Sequence, residues 1–268
     1  MSFSSLRYRL DRVAFAKHVL DLEELDLWQI AFLRSDARRM LINTFRQSGK
    51  SSMTAAVALH QAVYVEGSLV LILAPALRQA LEFFQKVSDG WRRLSGEGLS
   101  VPAASDRKLG IRLKNGSRIE CLPGGEKTIR GFSTPDLVVV DEAARIEDAL
   151  FTALLPMLTA SREGGRLLML STPFGRRGVY WRLWDGVEGA GAAWERVQVP
   201  VTDVPRISPA AIEEARNTLL DWEFSQEYLT EFADNVASVF SISSISDLRA
   251  SLTDEFEPLT FSQEALSQ

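Results

Sequence analysis

Four short, wholly apolar runs constrain this chain more than anything else in it: Met40–Ile42, Leu69–Ala74, Leu137–Val140 and Leu167–Leu170. A strand with one wet face alternates apolar and polar residues. One that is apolar throughout is buried on both faces, as in a parallel sheet covered by helices. Stretches patterned for such helices lie between the runs. Ser51–Val65 is rich in alanine, and Leu77–Leu94 sets Leu81, Phe84, Val87 and Trp91 on one face. The segment up to Asp36 reads as helical, and Pro75 ends the second apolar run. Ile111–Leu113 and Arg118–Leu122 flank Asn115-Gly116, a hairpin signal. Ala143–Leu158 is predicted as one helix disturbed at Pro156, Val197–Val201 as a last strand, and Glu223–Glu231 as a late helix. Ser208-Pro209-Ala210 opens another helix, with a serine cap and proline in the first turn. The alternation gives an α/β fold with a mostly parallel central sheet flanked by helices.

At 268 residues, with 46% hydrophobic and 24% charged, the chain can bury a large core and is neither a disordered chain nor a small stapled scaffold. Cys121 is its one cysteine, so no internal disulfide forms and a reducing compartment is expected. The longest apolar run, Leu69–Leu77, falls short of the ~20 residues of a membrane helix. The amino terminus carries Arg7, Arg9, Asp11, Arg12 and Lys17 without the apolar stretch of a secretory signal. A cytoplasmic protein with no membrane partner is the expectation. From Ala237 the chain turns serine-rich and then acidic, so 1–240 is read as a domain and 241–268 as a tail. Asp254, Glu255, Glu257 and Glu264 supply most of the net charge of −5, which therefore neither demands nor forbids a polyanionic partner.

The sharpest local signal is Thr44-Phe45-Arg46-Gln47-Ser48-Gly49-Lys50-Ser51-Ser52, which follows an apolar strand and opens a helix. Gly49 frees the backbone to turn close to an anion, and the inward amides and helix N-terminus favour negative charge. Lys50 can reach the β- and γ-phosphates of a nucleotide, and Ser51 can place its hydroxyl on magnesium. Thr44 stands where the usual phosphate loop has its first glycine. The plain alternative is a surface turn with a solvated lysine, against which Arg46 adds a second cation. Leu137–Val140 then delivers Asp141 and Glu142 to the carboxyl end of a buried strand, where such sheets bind ligands. Asp141 can hold magnesium, and Glu142 can polarise a water for attack on phosphorus; carboxylates also favour a helix N-terminus for structural reasons alone. Leu167–Leu170 brings Ser171 and Thr172 to the same edge, either to sense the γ-phosphate or to cap the turn before Pro173.

With these pieces in order, the chain resembles the large terminase subunit of tailed bacteriophages, the ATPase that packages DNA. Trp28-Gln29 is similar to that family's adenine-side glutamine motif, and Arg46 to Ser51 resembles its deviant phosphate loop. Ile129-Arg130-Gly131, with Asp136 to Glu142 and Ala143-Ala144, is similar to its second ATPase motif, and Ser171-Thr172-Pro173 to its coupling motif. Phe224 to Tyr228, Glu231-Phe232 and Val239-Phe240 resemble the segment that joins ATPase to nuclease. The resemblance implies a P-loop NTPase of the ASCE type that takes ATP and Mg2+. Gln29 would contact adenine, and Thr44, Arg46, Gln47, Ser48, Gly49, Lys50, Ser51 and Ser52 would form the phosphate site. Ser51 and Asp141 would hold magnesium, Glu142 would activate water, and Ser171 and Thr172 would couple hydrolysis to movement. Arg46 would approach the γ-phosphate from within the subunit. Arg130 looks like the arginine that some relatives place across a subunit interface; the alternative is that it pairs with Asp136 or Glu126.

Double-stranded DNA, a small terminase subunit, a portal protein and a homo-oligomeric ring are the implied partners, in the bacterial host cytoplasm. Too little chain follows Phe240 for the nuclease domain of a complete large subunit, so no nuclease activity is expected here. Arg92-Arg93, Arg107-Lys108 and Arg176-Arg177 are candidate DNA contacts, each also readable as a solvated face. A helicase-like ATPase and a truncated prophage remnant that binds nucleotide without turnover stand as alternatives.

Overall fold

The computed structural model describes residues 3–96, 103–107, 109–161 and 164–233. The apolar runs are strands β1 (Arg39–Thr44), β2 (Leu69–Ala74), β6 (Leu137–Val140) and β7 (Arg166–Ser171). The remaining described strands are β3 (Ala103–Arg107), β4 (Gly110–Leu113), β5 (Arg118–Pro123) and β8 (Glu195–Val199), all in one sheet of order β3-β4-β5-β2-β6-β7-β1-β8. From β5 to β8 every neighbour is parallel, and only β3, β4 and β5 pair antiparallel. The mostly parallel α/β class is borne out.

The four apolar strands are covered on both sides, which is why they need no polar alternation. Along β2, Val70 and Ile72 join one core while Leu69, Leu71 and Leu73 join the other. The first core is roofed by α2 (Arg12–Leu20), α3 (Leu27–Arg34), α4 (Lys50–Tyr64) and α5 (Leu77–Gly96), with α1 (Phe3–Leu10) packed on α2. The second lies under α7 (Asp148–Thr159) and α8 (Gly178–Asp185), with α6 (Glu126–Ile129) at its margin. Gly90 lets α5 approach α2 and α4: a Cβ there would lie 2.7 Å from Leu59 Cδ1 and 3.4 Å from the Val19 carbonyl oxygen.

Several elements differ from expectation for local reasons. The buried stripe of α5 is Ala80, Phe83, Val87, Trp91 and Leu94, with Leu81 and Phe84 only half-buried. The helix buries Phe83 in place of Phe84, so the expected stripe is right at Val87 and Trp91 and one position off at its start. Ala143–Leu158 is not one helix. Glu142 takes left-handed backbone (φ 50), Ala143–Arg145 form a single 3-10 turn, and α7 starts afresh at Asp148 and runs through Pro156. Strand β8 begins and ends two residues earlier than the expected run. Ser208 accepts from the Ala211 amide (3.3 Å) and caps α9 (Pro209–Thr218), whereas α10 (Asp221–Glu227) stops short of Glu231.

The chain divides after Ala233 into two units. The second, Asp234–Gln268, lies outside the described residues, and with it the expected boundary at 240 and the tail over 241–268. Among the described residues no helix is long and apolar enough to cross a membrane.

Candidate active site

All four buried strands point their carboxyl ends at one edge, and β7 lies between β1 and β6. That order puts the loops after β1, β6 and β7 side by side, in the crevice where an open parallel sheet binds ligands. The loop after β1 is held by Ser48 Oγ, which donates to Thr44 Oγ1 (2.9 Å), both side chains buried. Gln47 (φ 63) and Gly49 (φ 93) take left-handed backbone. The left-handed backbone favours glycine at 49, and a Cβ there would also lie 3.0 Å from Gln29 Nε2. Helix α4 then starts, with the Ser52 and Met53 amides both bonded to the Gly49 carbonyl at 3.1 Å.

The predicted pair of motifs meets here. Lys50 Nζ lies 3.0 Å from Glu142 Oε1, and Ser51 Oγ donates to Asp141 Oδ2 at 3.1 Å. The Glu142 amide donates to Asp141 Oδ1 (3.1 Å), and the Asp141 amide to the Leu73 carbonyl (2.8 Å). Lys50 and Asp141 are both buried. Burial raises the Asp141 carboxyl above its usual range, and neighbouring Lys50 opposes the shift. Burial likewise lowers the Lys86 ammonium on α5, with Asp141 the foremost opposing influence. Ser171 Oγ accepts from the Ala144 amide at 3.2 Å, which joins the end of β7 to the turn behind the acids. Thr172 Oγ1 is buried with no hydrogen-bond partner among the described residues.

Other expected residues are engaged elsewhere in this structure. Gln29 is buried, with Nε2 donating to the Ser48 carbonyl (3.3 Å) and Oε1 accepting from the Asp26 amide (2.9 Å). Its amide therefore braces the loop and caps α3. Arg46 Nε lies 2.6 Å from Glu227 Oε2, an ion pair that turns it toward α10. Arg130, exposed, follows α6, and the contacts joining Lys50, Ser51, Asp141 and Glu142 do not include it. Of its two suggested acids, Asp136 accepts from the Leu69 amide through Oδ2 (2.8 Å), and the Glu126 side chain is outside the described residues.

Four further residues belong to the site. Arg206 Nη2 donates to the Ser48 and Gln47 carbonyls (2.8 and 3.1 Å), and its Nε to Asp26 Oδ2 (3.2 Å). Arg145 Nε lies 3.7 Å from Glu142 Oε2, with its guanidinium 4.0 Å from the Phe174 ring centre. The Tyr180 hydroxyl is fully buried without a partner among the described residues, and burial, with Glu142 nearby, raises it far above the usual phenol range. Glu227 holds Arg46. The spacing of Arg145, one helical turn past Glu142, was a usable sequence signal. Nothing in the local sequence marks Arg206 or Tyr180, because their contacts are long-range; Glu227 lies in the Phe224–Tyr228 segment, whose resemblance did not point to Arg46.

The profile of the family described as "Terminase large subunit, T4likevirus-type, N-terminal" matches residues 41–247. The large terminase subunit of Thermus phage G20c is 30% identical over 241 residues, covering 80% of this chain and 50% of that one. The chain thus spans about half the length of the curated relatives it matches. The large terminase ATPase domain of Thermus phage P74-26 superposes with a TM-score of 0.67 at 25% identity, covering 81% of this chain and 97% of that chain. A large terminase from another thermophilic bacteriophage, solved in complex with ADP, shares the fold at 13% identity, with a TM-score of 0.63 over 78% of this chain and 54% of that one.

Proposed function

The chain belongs to the terminase large-subunit family, in its T4likevirus-type amino-terminal part, and from that premise we propose that it is the ATPase of a viral DNA-packaging motor, driving double-stranded DNA into a procapsid. One observation carries the reading: Lys50 with Glu142 (3.0 Å) and Ser51 with Asp141 (3.1 Å) form a single cluster at the carboxyl edge of the sheet. Ser51 and Asp141 set two hard oxygen donors side by side, a set suited to magnesium when phosphate oxygens complete its shell. Bound there, magnesium would offset charge on the transferring phosphoryl group.

The chain's own groups supply the rest. The loop amides and Lys50 hold the phosphates, with Thr44, Gln47, Ser48, Gly49 and Ser52 shaping the loop. As Lys50 turns from Glu142 to phosphate, it frees that carboxylate to take a proton from the attacking water. Arg46 reaches the γ-phosphate only by leaving Glu227, and Gln29 reaches adenine only by releasing the Ser48 carbonyl. Ser171, through Ala144, and Thr172, whose Oγ1 has no hydrogen-bond partner among the described residues, carry the state of the site into β7. Arg130, exposed, is the candidate to act on a neighbouring subunit in a homo-oligomeric ring. DNA, a small terminase subunit and a portal protein are the partners that follow from the family, in the host cytoplasm, with 1–240 as the ATPase domain. The helicase-like alternative is not favoured.

Glu142→Gln keeps the shape of the side chain and removes the base. Steady-state ATP turnover is expected to fall by ~10²–10⁴-fold, with nucleotide binding retained. Turnover at the wild-type rate in that variant would exclude the assignment.

A further inference from the structure

Arg130 stands on a short exposed arm between two fixed points of the second core. Before the arm, Ile129 is buried, and the Phe132 amide donates back to its carbonyl at 3.0 Å. Phe132 packs at the margin of the same core, with the Arg118 guanidinium 5.8 Å from its ring centre. After the arm, the chain is fastened at each step. The Pro135 carbonyl accepts from Ser161 Oγ (2.6 Å). Asp136 donates its amide to the Leu69 carbonyl (2.9 Å) and accepts from the Leu69 amide through Oδ2 (2.8 Å), while its carbonyl accepts from the Arg166 amide (2.8 Å). Arg130, Gly131, Ser133 and Thr134 are exposed between these anchors. The arginines that the sequence offered for DNA contact have other settings. Arg92 pairs with Asp89 (2.7 Å), Arg93 donates to the Val19 carbonyl (2.9 Å), Arg176 to the Phe232 carbonyl (3.2 Å), and Arg177 lies 4.5 Å from the Phe174 ring centre. The Arg107 and Lys108 side chains lie outside the described residues.

Thr134 takes left-handed backbone (φ 51) at the join between the arm and the fixed stretch. Such backbone presses Cβ toward the following carbonyl oxygen, and branching at Cβ makes the position an outlier. A residue before proline, as Thr134 is before Pro135, is pushed toward extended backbone instead. The other β-branched residue with positive φ among the described residues is Thr230 (φ 60). It is buried and held by contacts of its own: its carbonyl accepts from Asn43 Nδ2 (2.9 Å) and its hydroxyl from Gln198 Nε2 (3.2 Å). Thr134 is exposed, and what keeps its backbone in place is the anchorage on either side. Strain of this kind persists only where the surroundings over-determine it, and it gathers at functional positions.

We propose that Thr134 is the positioning residue for Arg130: its left-handed backbone sets the stance of the arm from which Arg130 reaches the nucleotide of a neighbouring subunit. The inference rests on the reading of Arg130 as the group that acts across a subunit contact. Only the five residues from Arg130 to Thr134 lie between the anchors, so one rotated φ at the join swings the whole arm. A group offered to a phosphate from another subunit has to arrive in place, since a misplacement of ~1 Å can cost ~10²-fold in rate. The strain holds the arm where a relaxed turn would not put it.

The test opposes two substitutions in the full chain that differ in the backbone they accept. Asparagine adopts positive φ readily, so Thr134→Asn keeps the stance and removes strain. Proline fixes φ near about −65°, so Thr134→Pro forbids it. ATP turnover per chain is followed against chain concentration in wild type, both variants and Arg130→Ala, together with Mg-ADP affinity and melting temperature. Wild type is expected to turn over faster per chain as concentration brings subunits together. Thr134→Asn should match it and melt ~2–4 °C higher. Thr134→Pro should lose at least ~10-fold of the rate at high concentration, as Arg130→Ala does, with its dilute rate and Mg-ADP affinity as in wild type. A wild-type rate in Thr134→Pro overturns the proposal. So does an equal loss of Mg-ADP affinity, which would place the damage in the site of its own subunit. Should Thr134→Pro fail to fold, Thr134→Asn decides: a higher melting temperature with wild-type turnover upholds the strained stance, and no rise overturns it. Wild type that hydrolyses ATP independently of concentration, and no faster than Arg130→Ala, sinks this inference and leaves the ATPase reading standing. Wild type that hydrolyses no ATP at any concentration sinks that reading and the inference with it.

Discussion

Arg206 shows how a single side chain can set the geometry of a loop 159 residues away in sequence. Its guanidinium joins the Gln47 and Ser48 carbonyls to the Asp26 carboxylate. Gln47 holds left-handed backbone (φ 63), which a residue with a Cβ keeps only when its surroundings insist on it. With its carbonyls drawn outward to Arg206, the loop keeps its amides free for phosphate. A lysine at this position has one compact ammonium and cannot serve two carbonyls and a carboxylate in the same plane. Arg206→Lys is therefore expected to weaken ADP binding by ~10-fold, or ~1.4 kcal/mol, with little change in melting temperature. Isothermal titration of both proteins decides it, and equal affinities would show that the loop holds its own shape.

At the scale of elements, α4 ties the phosphate loop to the amino-terminal helices. His60, on α4, places Nε2 3.1 and 3.2 Å from the Tyr8 and Arg9 carbonyls. Carbonyls only accept, so Nε2 carries the proton and bonds the last turn of α1 to α4. Tyr8, Phe15 and Tyr64 pack around this helix face, with the His60 ring 5.1 Å from Phe15 and 4.9 Å from Tyr64. Burial, then the Arg12 charge, lowers the His60 imidazole to about 4. A lowered folded-state value means that the unfolded chain binds the extra proton first as pH falls. Stability from this group is therefore whole above pH ~6.5 and lost as pH drops toward ~4, by at most ~3 kcal/mol. Urea unfolding at a series of pH values should show this loss in wild type and a flatter profile in His60→Gln. The same profile in both proteins would place the acid sensitivity elsewhere.

For the whole molecule, what the sequence made legible was what is local or fully buried. Strands β2 and β6 fall on their apolar runs because neither face needs a polar residue, and Thr44–Ser52 and Asp141-Glu142 are recognisable because their spacing is their chemistry. The order of strands, which decides that these motifs meet, is not written in any one of them. Nor are the grip of Arg206 on the loop or the hold of Glu227 on Arg46, since each needs residues remote in sequence. The meeting of the motifs has a consequence for the stability of the entire unit. Its carboxyl edge gathers Asp141, Glu142, Lys50 and Lys86 around the ends of β1, β6 and β7, and burial works against charge on both Asp141 and Lys86. A ligand that binds only the folded chain there stabilises all three strand ends at once. At a hundred times its dissociation constant it contributes ~2.7 kcal/mol, which for a unit of this size raises the melting temperature by ~5–10 °C. Mg-ADP should produce that rise in wild type and none in Lys50→Ala, followed by differential scanning calorimetry. An equal rise in both would mean that the nucleotide binds without the lysine, and the convergence of loop and acids would then not be the binding site.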